Sequence, residues 1–84
     1  MHTETATAAE PIPYGSPVHV ANNKARPSTP MDMHGIAKRP YKRGAADSHY
    51  GRGETVIYQT DGEVLAVIGR DATWVDLRAG KIIS

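Results

Sequence analysis

The apolar residues of this chain are concentrated toward its C-terminus, where they alternate with polar ones. Ten of the fourteen Ile, Leu and Val residues lie beyond position 55. Residues 55–60 and 63–68 are rich in β-branched and apolar side chains, and they flank Asp61-Gly62, a dipeptide favoured in two-residue hairpin turns. This pattern predicts a β-hairpin in which Tyr58 lies opposite Leu65.

The alternation continues in residues 73–78, where Val75 and Leu77 share one side of a predicted strand and Trp74 faces the other. Residues 53–84 therefore predict an antiparallel meander of three to four strands. The first two of these strands are apolar on both faces, and a large uncovered apolar face usually marks an interface. Homodimerisation through the sheet follows as a hypothesis.

Two helix-start signals precede the meander. Thr29-Pro30 places an N-cap residue before a proline at the first helical position, which predicts one helical turn over residues 31–34. A longer helix is predicted from Pro40 to a C-terminal cap at Gly51. A helix of about eleven residues is marginal by itself, so we expect it to pack on one face of the meander.

Residues 1–29 contain four prolines among small and polar residues, without a sustained apolar period. Such a composition cannot bury enough apolar surface to offset the entropy of the chain. The predicted fold class is therefore α+β, with a disordered N-terminal arm over residues 1–29, a basic helical segment over residues 30–52 and a β-meander over residues 53–84.

The sequence lacks the residue patterns that disulfides, metal sites and nucleophilic catalysis require. The absence of cysteine excludes disulfides and thiolate sites. The four histidines do not occur at the spacing that brings two metal ligands to one side of a helix. Ser48 and His49 are neighbours in sequence, so on a helix their side chains point in different directions. We expect no enzymatic activity, no metal, no cofactor, no membrane span and no secretory leader.

Charge is distributed unevenly along the chain. Residues 24–52 carry a net charge of +5, whereas the segments before and after them each carry −2. The middle segment combines cations that neutralise phosphates with aromatic rings that stack on unpaired bases. The candidate nucleic-acid-binding residues are Lys38, Arg39, Tyr41, Lys42, Arg43, Tyr50 and Arg52. The alternative is a solvated amphipathic helix whose tyrosines pack on the meander.

Within this segment, residues Tyr41 to Arg52 read Tyr-x-Arg-Gly-x-x-Asp-x-x-Tyr-Gly-Arg. The pattern resembles the arginine-glycine segment of the ribosome modulation factor family and of small phage and prophage proteins that share it. The resemblance covers about a dozen of the 84 residues. It implies binding to small-subunit ribosomal RNA, with Arg43 and Arg52 as RNA contacts and Gly44 and Gly51 as structural glycines.

Three functional hypotheses result. The first is a small phage- or prophage-encoded protein that contacts RNA or the ribosome through the basic segment. The second is a phage-encoded inhibitor that occludes a host protein complex, with Tyr58 and Trp74 as interface residues because large aromatic side chains often anchor interfaces. The third is a minor virion component whose N-terminal arm reaches a neighbouring subunit. The first two place the protein in the cytoplasm of the host bacterium.

Overall fold

The computed structural model describes residues 2–40, 48–68 and 70–77, and the backbone of residues 81–82. This part of the chain contains ten β-strands and no helix. The strands are β1 (Thr3–Ala8), β2 (Ile12–Pro13), β3 (Pro17–Ala21), β4 (Lys24–Pro27), β5 (Gly35–Ala37), β6 (His49–Tyr50), β7 (Thr55–Gln59), β8 (Glu63–Ile68), β9 (Asp71–Asp76) and β10 (Lys81–Ile82). None of these residues belongs to a helix that could cross a membrane.

The predicted α+β class is wrong, because the described residues are all-β. The helical turn predicted after Thr29-Pro30 is a tight turn, closed by a hydrogen bond of 3.1 Å from the Asp32 N–H to the Thr29 carbonyl. The chain then enters β5 at Gly35 instead of continuing as a helix.

The longer predicted helix, from Pro40 to Gly51, falls mostly on residues 41–47, which lie outside the described residues. Its C-terminal part is extended and forms β6, which pairs with β2. A short helix forms only where tertiary packing supports it. Here packing favours the strand, because the strand places the Tyr50 ring in the core.

Five strands close into a small barrel in the order β1-β4-β3-β5-β7, and β7 returns to β1. β1 is parallel to β4, and the other four pairs are antiparallel. The flexible arm predicted for residues 1–29 is therefore wrong, because β1, β3 and β4 supply three of the five barrel strands.

The composition of the barrel interior explains why the N-terminal residues give no sequence signal of a buried core. Four of its side chains are alanines at most 2% exposed, namely Ala6, Ala8, Ala25 and Ala37. The interior of a small barrel is filled by side chains, often with small and large residues alternating to fit. The larger side chains of this cluster are Ile12, Val18, Tyr50, Val56 and Tyr58.

A two-residue turn joins β3 to β4. Asn22 and Asn23 have φ values of 52° and 62°, and Ala21 pairs with Lys24 across them. Positive φ at both central residues is the signature of the hairpin turn whose twist matches that of antiparallel strands, and asparagine tolerates this conformation better than most residues. The Asn-Asn dipeptide therefore fixes the register of this hairpin.

Beyond the barrel and the β2–β6 pair, three strands form a separate sheet in which β9 lies between β8 and β10. The inner side of this sheet packs on the outside of the barrel, where Ala66 and Val75 are buried with Ile36 of β5. Because side chains alternate along a strand, Ile36 faces this sheet while its neighbour Ala37 belongs to the barrel core.

The hairpin predicted across Asp61-Gly62 is wrong, since β7 pairs with β1 and β5 and not with β8. Tyr58 lies opposite Glu4 and Ala37 instead of Leu65. Barrel closure gives β7 a partner on each side, and this outweighs the local turn preference. The order β8-β9-β10 does match the later part of the predicted meander.

Candidate protein-binding surface

Three of the four large apolar side chains that are exposed in the described residues lie together on β8 and β9. Leu65 is 49% exposed, Val67 is 42% exposed and Trp74 is 47% exposed. Leu65 and Trp74 are cross-strand partners, and Val67 lies two residues further along β8. We call these three residues the apolar face. A contiguous exposed patch of this kind usually marks a site of interaction.

Strand alternation creates the apolar face. Ala66 and Val75 point toward the barrel and are fully buried, so their neighbours in sequence, Leu65, Val67 and Trp74, point away from it. The sheet is thus apolar on both sides, although the described residues cover only one of them. Beyond the apolar face the strands carry an acidic pair, Glu63 and Asp76, which lie opposite each other.

A groove of about 650 Å³ runs between β8 and the chain that leaves β5. Leu65 and Val67 line it from the sheet, and Lys38 and Arg39 line it from the barrel side. The remaining lining residues are Tyr14, Gly15, Ile36, Ala37 and Val64. Its volume falls within the range of about 300–1,000 Å³ that ligand sites occupy. Apolar and cationic residues therefore line the same groove.

The structure separates the cations that sequence reasoning grouped together. Lys38 and Arg39 lie beside the apolar face, whereas Arg52 lines a different hollow of about 300 Å³ with Lys24 and Arg26. Arg26 also forms an exposed ion pair with Glu10, with a nitrogen-oxygen distance of 3.3 Å. Three other predicted nucleic-acid-binding residues, Tyr41, Lys42 and Arg43, lie outside the described residues.

Tyr50, predicted to stack on bases, is 1% exposed and belongs to the barrel core. Its ring meets that of Tyr14 edge to face, with ring centroids 5.1 Å apart. Its hydroxyl donates a hydrogen bond to the Lys38 carbonyl and accepts one from the Ile57 N–H at 3.3 Å. The hydroxyl thus links the end of β5 to β7, which is a structural role.

Tyr58, predicted as an interface residue, is 6% exposed and also belongs to the barrel core. Its hydroxyl donates a hydrogen bond of 3.4 Å to the Glu4 carboxylate. Burial, followed by the negative charge of Glu4 and this hydrogen bond, raises the pKa of Tyr58 above its usual value of 10.0. Of the two predicted interface residues, only Trp74 lies at the surface.

Sequence reasoning missed four surface residues that the structure groups. Leu65 and Val67 were expected to pack in a hairpin with β7, whereas they are exposed beside Trp74. Lys24 and Arg26 were assigned to a flexible arm, whereas they are paired strand residues beside Arg52. The signal that could have found the second pair is Asn22-Asn23 between two short alternating segments.

The histidines of the described residues make local contacts. Ser48 and His49 were expected to point in different directions on a helix, but the chain is extended here and the Ser48 Oγ atom lies 3.1 Å from the His49 Nδ1 atom, so that expectation is wrong. The rings of His19 and His34 lie 4.5 Å apart, and the Nδ1 atom of His34 accepts a hydrogen bond of 2.8 Å from the Val20 N–H. This pair therefore fastens the loop before β5 to β3. No three side chains of His, Asp or Glu among the described residues are placed to hold a metal ion.

Comparisons with known proteins leave this surface as the main guide to function. No model of a known protein family matches the chain, and neither a curated protein nor a solved structure shows significant similarity to it.

Proposed function

We propose that this chain is a small non-enzymatic binding protein that docks on a protein partner through its apolar face. The observation that carries the proposal is the grouping of Leu65, Val67 and Trp74 on the uncovered side of a sheet whose other side is buried. Interface centres are enriched in large aromatic side chains and depleted of charge, and Trp74 beside two aliphatic residues has this composition.

The proposal develops one of the sequence hypotheses. That hypothesis was a phage-encoded inhibitor that occludes a host protein complex, and a rigid small barrel presenting one apolar sheet face suits such a role. Trp74 keeps the interface role given to it, while Leu65 and Val67 take the place of the buried Tyr58. Lys38 and Arg39 at the border of the face would contact acidic residues of the partner.

The test is a pull-down from bacterial lysate, with and without nuclease, using the chain and two double variants as bait. Leu65→Ser with Trp74→Ser removes the apolar face, and Lys24→Gln with Arg52→Gln removes distant cations as a matched surface control. We expect discrete proteins to be retained after nuclease treatment, lost with the first variant and kept with the second. Thermal melts of both variants should stay near that of the parent chain, because the altered side chains are at the surface.

Retention of the same proteins by the Leu65→Ser, Trp74→Ser variant would overturn the proposal. So would capture that nuclease treatment abolishes in full, because nucleic acid would then be the contact. A protein captured by the parent chain needs a second measurement. Its purified form should bind the parent at least about tenfold more tightly than the variant, since hot-spot side chains contribute roughly 2 kcal/mol or more each.

A second candidate function is RNA binding, and one observation favours it. Lys24, Arg26 and Arg52 surround one hollow, although they lie far apart in sequence. Three cations at one place neutralise phosphates better than the same cations dispersed over the surface. This cluster includes Arg52, which the resemblance to the ribosome modulation factor family marks as an RNA contact.

Salt dependence distinguishes this second function from the first. Binding to a single-stranded RNA probe should weaken steeply as salt increases, and the slope should fall by roughly one for each phosphate contact removed by Lys24→Gln or Arg52→Gln. The Leu65→Ser, Trp74→Ser variant is the matched control and should keep the full slope. A slope that the two cation substitutions leave unchanged would remove RNA from consideration at this hollow.

A further inference from the structure

One edge of β8 has no strand partner in the described part of the chain. The register of β8 on β9 shows which peptide groups face that edge. The Leu77 N–H donates a hydrogen bond of 2.9 Å to the Gly62 carbonyl. Every second residue from Gly62 onward, namely Gly62, Val64, Ala66 and Ile68, therefore bonds to β9. The peptide groups of Glu63 and Leu65 therefore point away from β9. Val67, the next residue in that set, donates its N–H to the Gly15 carbonyl at 2.8 Å.

The unpaired edge is short and lies beside the groove. The bond between Val67 and Gly15 closes one end, and no backbone hydrogen bond from Leu65 reaches any other described residue. Gly15, Leu65 and Val67 all line the groove, so the open peptide groups lie on the groove side of the sheet. An unpaired strand edge is a template for another strand, which proteins usually cover or blunt.

We propose that the groove accepts an extended peptide segment of a protein partner, which adds as a strand to the free edge of β8. The proposal rests on the proposed protein-docking function and names the form of its partner. Main-chain hydrogen bonds to the Leu65 peptide groups would supply affinity, as in other cases of strand addition. The added strand would span about three to five residues, the length of a short strand.

Side chains in the groove define the chemistry of that segment. Alternate residues of an added strand point to the same side, so every second side chain meets the same kind of wall. Leu65 and Val67 favour apolar side chains, and Lys38 and Arg39 favour a carboxylate. The segment therefore alternates β-branched or apolar residues with Asp or Glu.

A single extended segment fits this edge better than a second copy of the chain. The β8 edge faces the groove wall formed by Ala37, Lys38 and Arg39. A strand added there has to enter alone, whereas the β8 strand of another copy carries its own barrel beside it.

The experiment pans a display library of random peptides against the full chain and subtracts peptides that bind a Leu65→Pro variant. Proline at Leu65 removes an N–H that β9 does not use, so the β8–β9 pairing can persist. Leu65→Ala is the matched control, because it loses the same side chain and keeps the N–H. Melts and circular dichroism of both variants establish that the fold is intact.

Enriched peptides should alternate apolar with acidic residues. Synthetic copies should bind Leu65→Pro at least about tenfold more weakly than Leu65→Ala, the equivalent of one or two lost hydrogen bonds. N-methylation of the peptide amides that face β8 should weaken binding to a similar degree, and N-methylation of the intervening amides should not. A Lys38→Glu variant should instead bind more tightly to the version of each peptide in which lysine replaces the acidic residues.

Three outcomes would overturn the proposal. Failure to enrich any peptide over the Leu65→Pro background is the first, and binding that tolerates N-methylation on either set of amides is the second. The third is a dimer in sedimentation that Leu65→Pro dissolves, because a second copy would then occupy the edge. If one of these outcomes removes strand addition, binding that still depends on Trp74 would leave the apolar face as a docking site.

Discussion

The barrel has no unpaired strand edge, whereas the three-stranded sheet ends at β8 without a further strand among the described residues. Each barrel strand is bonded to a neighbour on both sides, and the interior is filled by buried side chains. The sheet has β8 at an edge and leaves Leu65, Val67 and Trp74 exposed on one face. The barrel therefore satisfies its own polar and apolar groups, whereas the sheet keeps both kinds available for contact.

The difference shows how so short a chain can form a stable core and still present a binding surface. Small domains bury only about 60% of the surface that their unfolded chains expose, so each large apolar side chain placed at the surface is lost from an already small core. Here the barrel uses alanines where space is narrow, and the larger aliphatic and aromatic residues of β8 and β9 serve the surface. Substitutions of buried barrel residues should lower stability, and substitutions on the apolar face should change binding alone.

The largest effect is expected from Gly35→Ala in the barrel wall. A Cβ atom at this position would collide with the Gln59 carbonyl oxygen and lie 2.8 Å from the Tyr58 ring. Backbone cannot move aside as a flexible side chain does, so the free energy of unfolding should fall by about 3 kcal/mol or more. Urea denaturation followed by circular dichroism measures this fall.

Gly53→Ala is the control for this prediction. Gly53 has a φ of 87°, but no atom lies within 4 Å of the added Cβ. Its replacement should lower stability by only about 1 kcal/mol, the cost of the backbone conformation. Equal effects at the two glycines would mean that the β5–β7 contact is looser than the structure places it.

The second prediction compares one apolar residue from each region. Ile12→Ala should cost about 2–3 kcal/mol of unfolding free energy, because Ile12 is fully buried in the barrel cluster and its removal leaves a cavity. Leu65→Ala should change stability by less than about 0.5 kcal/mol, since Leu65 is half exposed on the apolar face. Melting temperatures of the two variants at one protein concentration give the comparison, and a larger loss for Leu65→Ala would refute it.

The third prediction uses two tyrosines in contact inside the barrel region. Tyr50→Phe removes the hydroxyl that links Lys38 and Ile57, so stability should fall by about 1–2 kcal/mol. Tyr14→Phe should be neutral or stabilising, because the Tyr14 hydroxyl is buried without a hydrogen-bond partner among the described residues. The pair shares the same ring chemistry, so urea midpoints isolate the hydroxyl contribution. Destabilisation by Tyr14→Phe equal to that of Tyr50→Phe would contradict this assignment.

Sequence patterns predicted the sheet better than the barrel, for a physical reason. In β9, Val75 inside and Trp74 outside follow directly from the alternation of apolar and polar residues. In β1 the inward residues are Ala6 and Ala8, whose small side chains carry little hydrophobic signal. A narrow barrel needs such residues, but the same composition is typical of flexible segments. The N-terminal strands therefore read as an arm.

The candidate site was predictable only in part. Trp74 was identified, because its side chain is large and amphipathic enough to anchor an interface. Leu65 and Val67 were expected to lie across a hairpin from β7, because Asp61-Gly62 predicted a turn that barrel closure prevents. A local turn signal cannot reveal that β7 already has two partners distant in sequence.

The smallest expected effect concerns the seam where β1 closes the barrel against β7. Glu4 and Tyr58 lie opposite each other there, and burial raises the pKa of Tyr58 together with the charge and hydrogen bond of Glu4. A raised pKa means that the fold favours the neutral phenol. This contribution to stability is complete below the unfolded pKa of 10.0 and is lost as the pH rises through the folded value.

Phenolate absorbance followed through alkaline pH, as the difference between the parent chain and Tyr58→Phe, isolates this one group. The difference curve should have its midpoint above pH 10.0. Glu4→Gln should move the midpoint toward 10.0 without reaching it, because burial, the largest cause, remains. A midpoint at or below 10.0 in the parent chain would place Tyr58 in water and β1 away from β7. Trp74→Ser, on the sheet, should leave the midpoint unchanged, since the two regions keep separate cores and only the barrel core contains the seam.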